Sequence, residues 1–389
     1  MEKELKRGFD TNEFRTRTDK IQKELKSNNL DALLITSEHN FRYFTGFDSH
    51  FWQSPTRPWF LIIPVDGDPI AVIPSIGESS LKKTWIKNIN VWQSPNPKDE
   101  GVTLLANTIN NLSNKFGSIG CEIGKESVLR MPNNDFVVLQ SKTSQFSFVD
   151  GSTIIWNLRM IKSEAEIEKI KFICNITSDA YNHLPKIANI GETQITICNK
   201  LKIDLLSRGV DQIPFMGCAS GQAGYEQIVF NASNKILIDN DLLFIDTGAT
   251  FDGYFCDFDR NYGFGRVDDK VKKAYDILSQ TVSKGIEIAK PGKKCSDIFF
   301  EMNKILEESG SVSSGVGRMG HGFGLQLTEP PSNMLGDNTT LKKDMTITIE
   351  PVFEFESGKM IVQEEDLLIT EDGNEILTSR APQEIPIIK

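Results

Sequence analysis

Leu242–Phe264, LLFIDTGATFDGYFCDFDRNYGF, reads as two strands joined by Asp252-Gly253. That pair supplies the positive φ angles a tight two-residue hairpin turn demands. The register follows: with Phe251 opposite Tyr254, Asp246 lies opposite Asp259 and Gly248 opposite Asp257, so Asp246, Asp257 and Asp259 project from one face. The flanking Leu243, Phe244, Ile245, Phe255 and Phe258 are of the kind that is buried, which leaves three carboxylates sharing a small apolar patch. Such like-charge crowding destabilises a sheet unless a cation or basic group neutralises it, and a metal ion is the natural resolution.

The logic repeats nearer the C-terminus. ITIEPVFEF and KMIVQEEDLLIT flank Glu356-Ser357-Gly358, a three-residue loop whose Gly suits the left-handed bulge position. In that register Glu350 faces Glu364, with Glu365 and Asp366 adding negative charge, and a shared cation is again inferred. Between the hairpins, GRMGHGFGLQLTEPP sets His321 among glycines that allow close backbone approach, in a place to supply an imidazole. Any one of these acids alone reads as a solvated turn or strand-edge residue. Together they form an oxygen-rich set with a single nitrogen, which suits a pair of divalent ions such as manganese, iron, cobalt or zinc and does not choose among them. Two ions roughly 3.5 to 4 Å apart bridge a water, lower its pKa and polarise a substrate oxygen, so hydrolysis is the expected chemistry.

The chain around these hairpins has 389 residues, more than one core usually organises, and two or three domains are expected. With 39% hydrophobic and 25% charged residues it has the make-up of a soluble globular protein. No stretch approaches the roughly 18 to 20 apolar residues that span a bilayer. MEKELKRGFDTNEFRTRTDK at the start shows no secretory pattern, and the expected location is the cytoplasm. A formal charge of −10 argues against a nucleic-acid partner. The six cysteines are scattered without a CxxC pair, which speaks for free thiols and against cysteine-ligated zinc, and four histidines leave little imidazole for any site. The first half alternates a polar helix (residues 12–28) with strands at 32–36, 59–65 and 69–73, an α/β pattern. Ser163, three residues before Glu166, forms a capping box opening a long amphipathic helix, and the domain boundary is placed just before that region, giving 1–157 and 158–389.

These residues resemble the pita-bread metallopeptidase family: aminopeptidase P, prolidase, methionine aminopeptidase and the creatinase branch. SEHNFRYFTGF (Ser37 to Phe47) is similar to the Asn-x-x-Tyr-x-Thr-Gly element of the creatinase-type N-terminal domain, and LRMIKSEAEIEKI (Leu158 to Ile170) to the start of the catalytic domain. Asp246 in IDTG, Asp257 eleven residues later, His321 in GHGFGL, Glu350 in IEP and Glu364 in QEED match the family's five metal ligands in order and spacing. The resemblance implies an N-terminal creatinase-like α/β domain followed by a C-terminal pita-bread catalytic domain, two divalent ions with manganese favoured, and Xaa-Pro dipeptidase- or aminopeptidase-like hydrolysis. It places Glu350 and His321 at the catalytic centre, Glu350 handling a proton as water attacks. It also implies a homodimer.

Four positions depart from the family pattern. Thr328 in TEPP stands where a second histidine is usual, and YEQIVFNASNKILIDNDLLFID lacks the histidine that normally precedes the IDTG strand. His183 lies far upstream, in a surface or core role. The family's peptide-handling imidazoles hydrogen-bond the scissile amide, so their loss touches the substrate and not the metals. Asp259 replaces a usual Thr and Val362 a usual Arg, which favours a cationic substrate group or tightens the hold on the metals, unless Asp259 pairs with Arg260 or a nearby Lys. Arg57, set between Trp52 and Trp59 in FWQSPTRPWF, resembles the creatinase Arg-Pro element that holds a substrate carboxylate, or else packs on the aromatics. Thr328, Asp259 and Arg57 are therefore the candidate substrate contacts. The expected substrate is a dipeptide or small molecule. A creatinase-like or lyase-like enzyme acting on a small zwitterionic metabolite is the alternative, and a binding module that kept the fold without catalysis is the reading from another class.

Overall fold

The computed structural model describes residues 5–312 and 317–389. Residues 6–159 and 160–389 form two compact units.

In the first unit, helix Thr11–Ser27 precedes six strands: β1 (Ala32–Ile35), β2 (Phe60–Pro64), β3 (Ile70–Pro74), β4 (Asn88–Trp92), β5 (Ser118–Cys121) and β6 (Ser147–Asp150). They form one mixed sheet in the order β4-β3-β2-β1-β5-β6. β1 lies inside it, antiparallel to β2 and parallel to β5. That position explains why ALLI is an unbroken apolar run with every residue buried.

The SEHN segment follows β1 as a capped helix. Ser37 accepts from the Asn40 amide, and helix Glu38–Thr45 ends on Gly46 at φ +74°, a conformation glycine adopts freely. Its anchor is Glu122, 1% exposed, whose carboxylate accepts from the Thr36 amide at 2.6 Å, the Ser37 amide at 2.9 Å, Asn40 Nδ2 at 2.6 Å and the Thr36 and Ser37 hydroxyls. Asn40 Oδ1 in turn accepts from Arg159 Nη1 at 2.9 Å.

The second unit opens on the capping box read from Ser163 and Glu166, which starts helix Glu164–Ile187. Its strands are β7 (Gln212–Gln222), β8 (Asp241–Phe251), β9 (Tyr254–Phe264), β10 (His321–Gly322), β11 (Glu329–Ser332), β12 (Thr346–Ile349), β13 (Val352–Glu356), β14 (Lys359–Val362), β15 (Glu365–Ile369), β16 (Asn374–Ile376) and β17 (Ile387–Ile388). They pair as a four-stranded sheet β17-β9-β8-β7, a five-stranded sheet β11-β10-β12-β15-β16 and the ribbon β13-β14. The Tyr181 hydroxyl donates to the Ile245 carbonyl at 3.0 Å and the Tyr262 hydroxyl to the Tyr181 carbonyl at 2.8 Å, fastening the long helix to β8 and β9. Helices Asp269–Ile288 and Cys295–Glu308 share a core with β12 and β15 through Leu278, Val282, Ile298, Met302, Ile347 and Leu367. The helix-and-strand architecture agrees with the α/β class expected from the sequence.

The second hairpin departs from its expected form in two ways. Glu356 still pairs with Lys359, so the turn is Ser357-Gly358, and the extra residue is taken up at Phe355 by a register shift between Glu354 and Glu356. Gly358 does take the left-handed conformation, at φ +69°. The long strands also break: Ile349 pairs with Glu365 in the five-stranded sheet, whereas Val352 pairs with Val362 in the ribbon. Pro351 lies at the break, and a proline has no N–H for a ladder bond. The same register runs on both sides, so Glu350 does stand opposite Glu364, but at a hinge and not within a continuous ladder.

Replacing Glu122 by Gln turns one acceptor oxygen into a donor facing donors. A loss of about 3 kcal/mol is expected in chemical denaturation of the purified protein. An unchanged midpoint and slope would show that the Ser37–Asn40 cap stands without its carboxylate.

Candidate metal centre

The first hairpin has the register read from its turn. Asp252 and Gly253 sit at φ +48° and +80°, Phe251 pairs with Tyr254, Asp246 with Asp259 and Gly248 with Asp257. Gly248 is required for space, since a Cβ there would fall 2.3 Å from Leu327 Cδ1. Asp257 and Asp259 are buried at 4% and 1% exposure. Asp257 is held through its backbone: its amide donates to Asp366 Oδ2 at 3.0 Å, an oxygen that also accepts from Cys174 Sγ at 3.3 Å.

β10 brings in the imidazole. Gly320, at φ +126°, precedes it in a cleft where a Cβ would fall 2.1 Å from the Thr348 carbonyl oxygen. The His321 amide donates to Thr348 Oγ1 at 3.2 Å. Its Nδ1 is 2.9 Å from the Gly322 carbonyl oxygen, which can only accept, so Nδ1 carries the proton. Burial, and then the charge of Arg318, push the ring's pKa down to about 4, and it is neutral. Nε2 therefore presents a bare lone pair, yet it faces Asp257 Oδ2 at 3.4 Å and Glu350 Oε2 at 3.7 Å.

A lone pair facing an ionised carboxylate is repulsive unless a proton or a metal cation lies between them. Asp257, His321 and Glu364 each bring one ligand atom within 4.8 Å of the others. Asp246 Oδ1, both oxygens of Asp259 and Glu364 Oε1 are buried without a hydrogen-bond partner among the described residues. Burial pushes the Asp246 carboxyl up to about 7, and burial with repulsion from Asp246 pushes Glu350 up to about 8. Asp257, Asp259 and Glu364 are raised well above the carboxylate range, by burial first and neighbouring acids second. One imidazole nitrogen among several carboxylate oxygens is a donor set that fits oxygen-preferring divalent ions.

The cation next to Asp259 along β9 is spent elsewhere. Arg260 donates to the backbone oxygens of Asp259 and Glu364, to Ser379 O and to Glu365 Oε2. It fixes the chain at Glu364 but makes no bond with the Asp259 carboxylate, so the Arg260 pairing weighed from the sequence is not formed.

Arg318 escaped the sequence reading. Its Nη2 donates to Thr328 Oγ1 at 3.5 Å, and its charge pulls down the carboxyls of Asp257 and Glu350. It lines a cavity of about 530 Å³ together with Glu226, Ile228, Met319, Val352 and Glu354. The Glu350 amide donates to the Met319 carbonyl at 3.1 Å, which joins this cavity to the acidic cluster. A lone arginine three residues before a histidine has no pattern of its own, and only its tertiary position marks it. Thr328 is exposed at the same place. Glu329 beside it is buried, with Lys162 Nζ 3.6 Å away.

Arg57 belongs to the first unit, and its aromatic partner is Phe51, whose centroid lies 5.5 Å from the guanidinium carbon. Trp52 and Trp59, which flank Arg57 along the chain, lie with their ring centroids 6.0 Å apart. His183 is half-exposed and pairs with Asp204 at 3.2 Å, a surface role.

The description of metallopeptidase family M24 matches residues 168–371, and that of the creatinase/prolidase N-terminal domain matches residues 17–161. The Xaa-Pro dipeptidase of Pyrococcus furiosus is 26% identical over 374 residues, 94% of this chain and 98% of that protein. An uncharacterized peptidase of Bacillus subtilis, YqhT, is 26% identical over 362 residues, 92% and 96% of the two chains. Among solved structures, the prolidase of Pyrococcus horikoshii superposes with a TM-score of 0.81 at 25% identity, covering 95% of this chain and 100% of that one. Dipeptidase PepE of Mycobacterium ulcerans gives 0.85 at 22% identity over 98% and 99%, a likeness of fold. The expected resemblance is thereby shown: the chain belongs to metallopeptidase family M24 and is a metallohydrolase.

Proposed function

We propose that the protein hydrolyses short peptides of the Xaa-Pro type, and that Asp246, Asp257, His321, Glu350 and Glu364 hold two divalent ions, manganese favoured. The observation that carries this reading is the bare Nε2 lone pair of His321 turned towards Asp257 and Glu350. When bound, such ions supply an activated bridging water and polarise the scissile carbonyl.

The residues divide the remaining work. Asp257, with 6% of its side chain accessible, is a fixed ligand, whereas Glu350 has 20% accessible and its amide bonds Met319, which lines the cavity. Glu350 is thus the carboxylate placed to move a proton between water and the leaving amine. Arg318 lines the same cavity and carries a planar fork of donors, which suits a substrate's free carboxylate, and Thr328 accepts from its Nη2. Glu226 and Glu354 line that cavity as well and suit an amine. Arg57 is a second candidate for the carboxylate. The homodimer and the cytoplasmic setting expected from the sequence belong to this proposal too. Among the described residues no helix is long and apolar enough to cross a membrane.

The absent peptide-handling histidines, with a cation and acids around one cavity, also favour a second reading: a creatinase-like or lyase-like reaction on a small zwitterionic metabolite. Turnover separates the two, since Xaa-Pro dipeptide hydrolysis with added manganese supports the first and its absence at high enzyme concentration the second.

Elemental analysis of protein purified without chelators is expected to give about two metal equivalents per chain. Those equivalents should vanish in an Asp257→Ala, Glu350→Ala double variant. A chain that takes up none of manganese, iron, cobalt or zinc would overturn the proposal. Arg318→Ala should raise KM roughly ten- to a hundredfold for dipeptides with a free C-terminus and leave their C-terminal amides little changed, because a charge-assisted bond is worth about 1.5 to 3 kcal/mol. Equal effects on acid and amide would remove Arg318 from the carboxylate site.

A further inference from the structure

Asp259 is 1% exposed, and neither of its carboxylate oxygens has a hydrogen-bond partner among the described residues. Both oxygens being bare is unusual for a buried carboxylate, because desolvating the group without compensation costs several kcal/mol. The obvious neighbours are already committed. Arg260 gives its donors to the Asp259 and Glu364 backbone oxygens, Glu365 and Ser379. The Tyr225 hydroxyl donates to Asn261 Oδ1 at 3.1 Å and accepts from the Val362 amide at 2.6 Å. The Tyr181 hydroxyl is engaged with Ile245 O and Thr247 Oγ1.

Its direction is set by register. Asp259 stands opposite Asp246 in the β8–β9 ladder, and side chains so paired leave the sheet on one face with Cβ atoms about 5 Å apart. Asp246 is the largest charge acting on Asp259, ahead of Arg260, Glu350 and Glu365. The cluster therefore has two ends. Asp257, His321 and Glu364 converge within 4.8 Å, with Glu350 Oε2 at 3.7 Å from the imidazole, while Asp246 and Asp259 face each other across the hairpin.

We infer that Asp259 is a sixth metal ligand, which joins Asp246 in holding the ion farther from His321. The inference rests on the proposed two-ion site and adds to it a carboxylate outside the five-ligand set. Its consequence is chemical. A fifth carboxylate makes that end of the site an all-oxygen, strongly anionic cage, which selects hard ions over those that prefer nitrogen or sulfur.

Asp259→Asn, with Asp259→Thr as a second variant should the amide fold poorly, tests this without recourse to activity. Metal retained per chain is measured through a graded chelator series, and thermal unfolding is recorded for metal-free and manganese-loaded protein. The expected result is that one ion is kept as in the wild type and the other is released at least about tenfold more easily. The rise in Tm on loading with manganese should be smaller in the variant than in the wild type, because the variant holds one ion less tightly. Wild-type chelator curves in both variants would overturn the inference and leave the two-ion reading standing. A raised KM with unaltered metal binding would also overturn it, assigning Asp259 to a substrate cation. Wild-type protein that holds no metal would sink the two-ion reading and this inference together.

Discussion

Mutual repulsion among buried carboxylates is the constraint around which the second unit is built. Asp246, Asp257 and Asp259 leave one face of the β8–β9 hairpin, and Glu350 and Glu364 meet at the break of the other. Each of these groups is raised above the carboxylate range by burial in the metal-free chain. Such a cluster lowers stability unless cations offset it, so the surrounding structure has to hold the acids in place against their own repulsion. It does so largely through the backbone: Arg260 grips the chain at Glu364, Asp366 grips the Asp257 amide, and Tyr181 ties the long helix to β8. None of these contacts uses the carboxylates of the cluster, and Asp246 Oδ1, both oxygens of Asp259 and Glu364 Oε1 have no hydrogen-bond partner among the described residues.

The hinge at Glu350-Pro351 belongs to the same design. Two strands in an unbroken ladder would present Glu350 and Glu364 as an ordinary cross-strand pair. Splitting the ladder between the five-stranded sheet and the β13–β14 ribbon opens the backbone at both acids, and the Glu350 amide turns to the Met319 carbonyl beside His321. Proline at the break removes a donor that would otherwise seek a ladder partner.

Much of this was legible in the sequence because it is local. A two-residue turn fixes register, and the period of two along a strand then fixes which acids share a face, so the Asp246–Asp259 and Gly248–Asp257 pairs follow from Asp252-Gly253 alone. The facing of Glu350 and Glu364 survived an error in the loop, since the bulge at Phe355 absorbs one residue without changing the register beyond it. The hinge was less legible, because a proline in a strand signals an interruption but not that its two arms join different sheets. Arg57 took the packing alternative weighed from the sequence, lying over Phe51 of the same FWQSPTRPWF segment.

What decides the substrate lies in long-range placement, which no local pattern carries. Thr328 reads as a missing histidine, and by that measure the site loses a polar group. In the folded protein the same threonine bonds Arg318, ten residues upstream, which supplies a permanent cation at the edge of the acidic cluster. An imidazole and a guanidinium answer different needs: the first donates or accepts a proton at a reacting amide, the second keeps its charge and grips an anion with paired donors. Under the proposed function, exchanging one for the other suits the site to holding a free end of the substrate more than to handling the interior of a peptide. Under the proposed reading that exchange leaves the metal ligands themselves unchanged, since neither Arg318 nor Thr328 belongs to the proposed five-ligand set. A fold can therefore keep its hydrolytic centre while its choice of substrate is rewritten a few residues away, and departures from the family pattern say more about the substrate than the matches do.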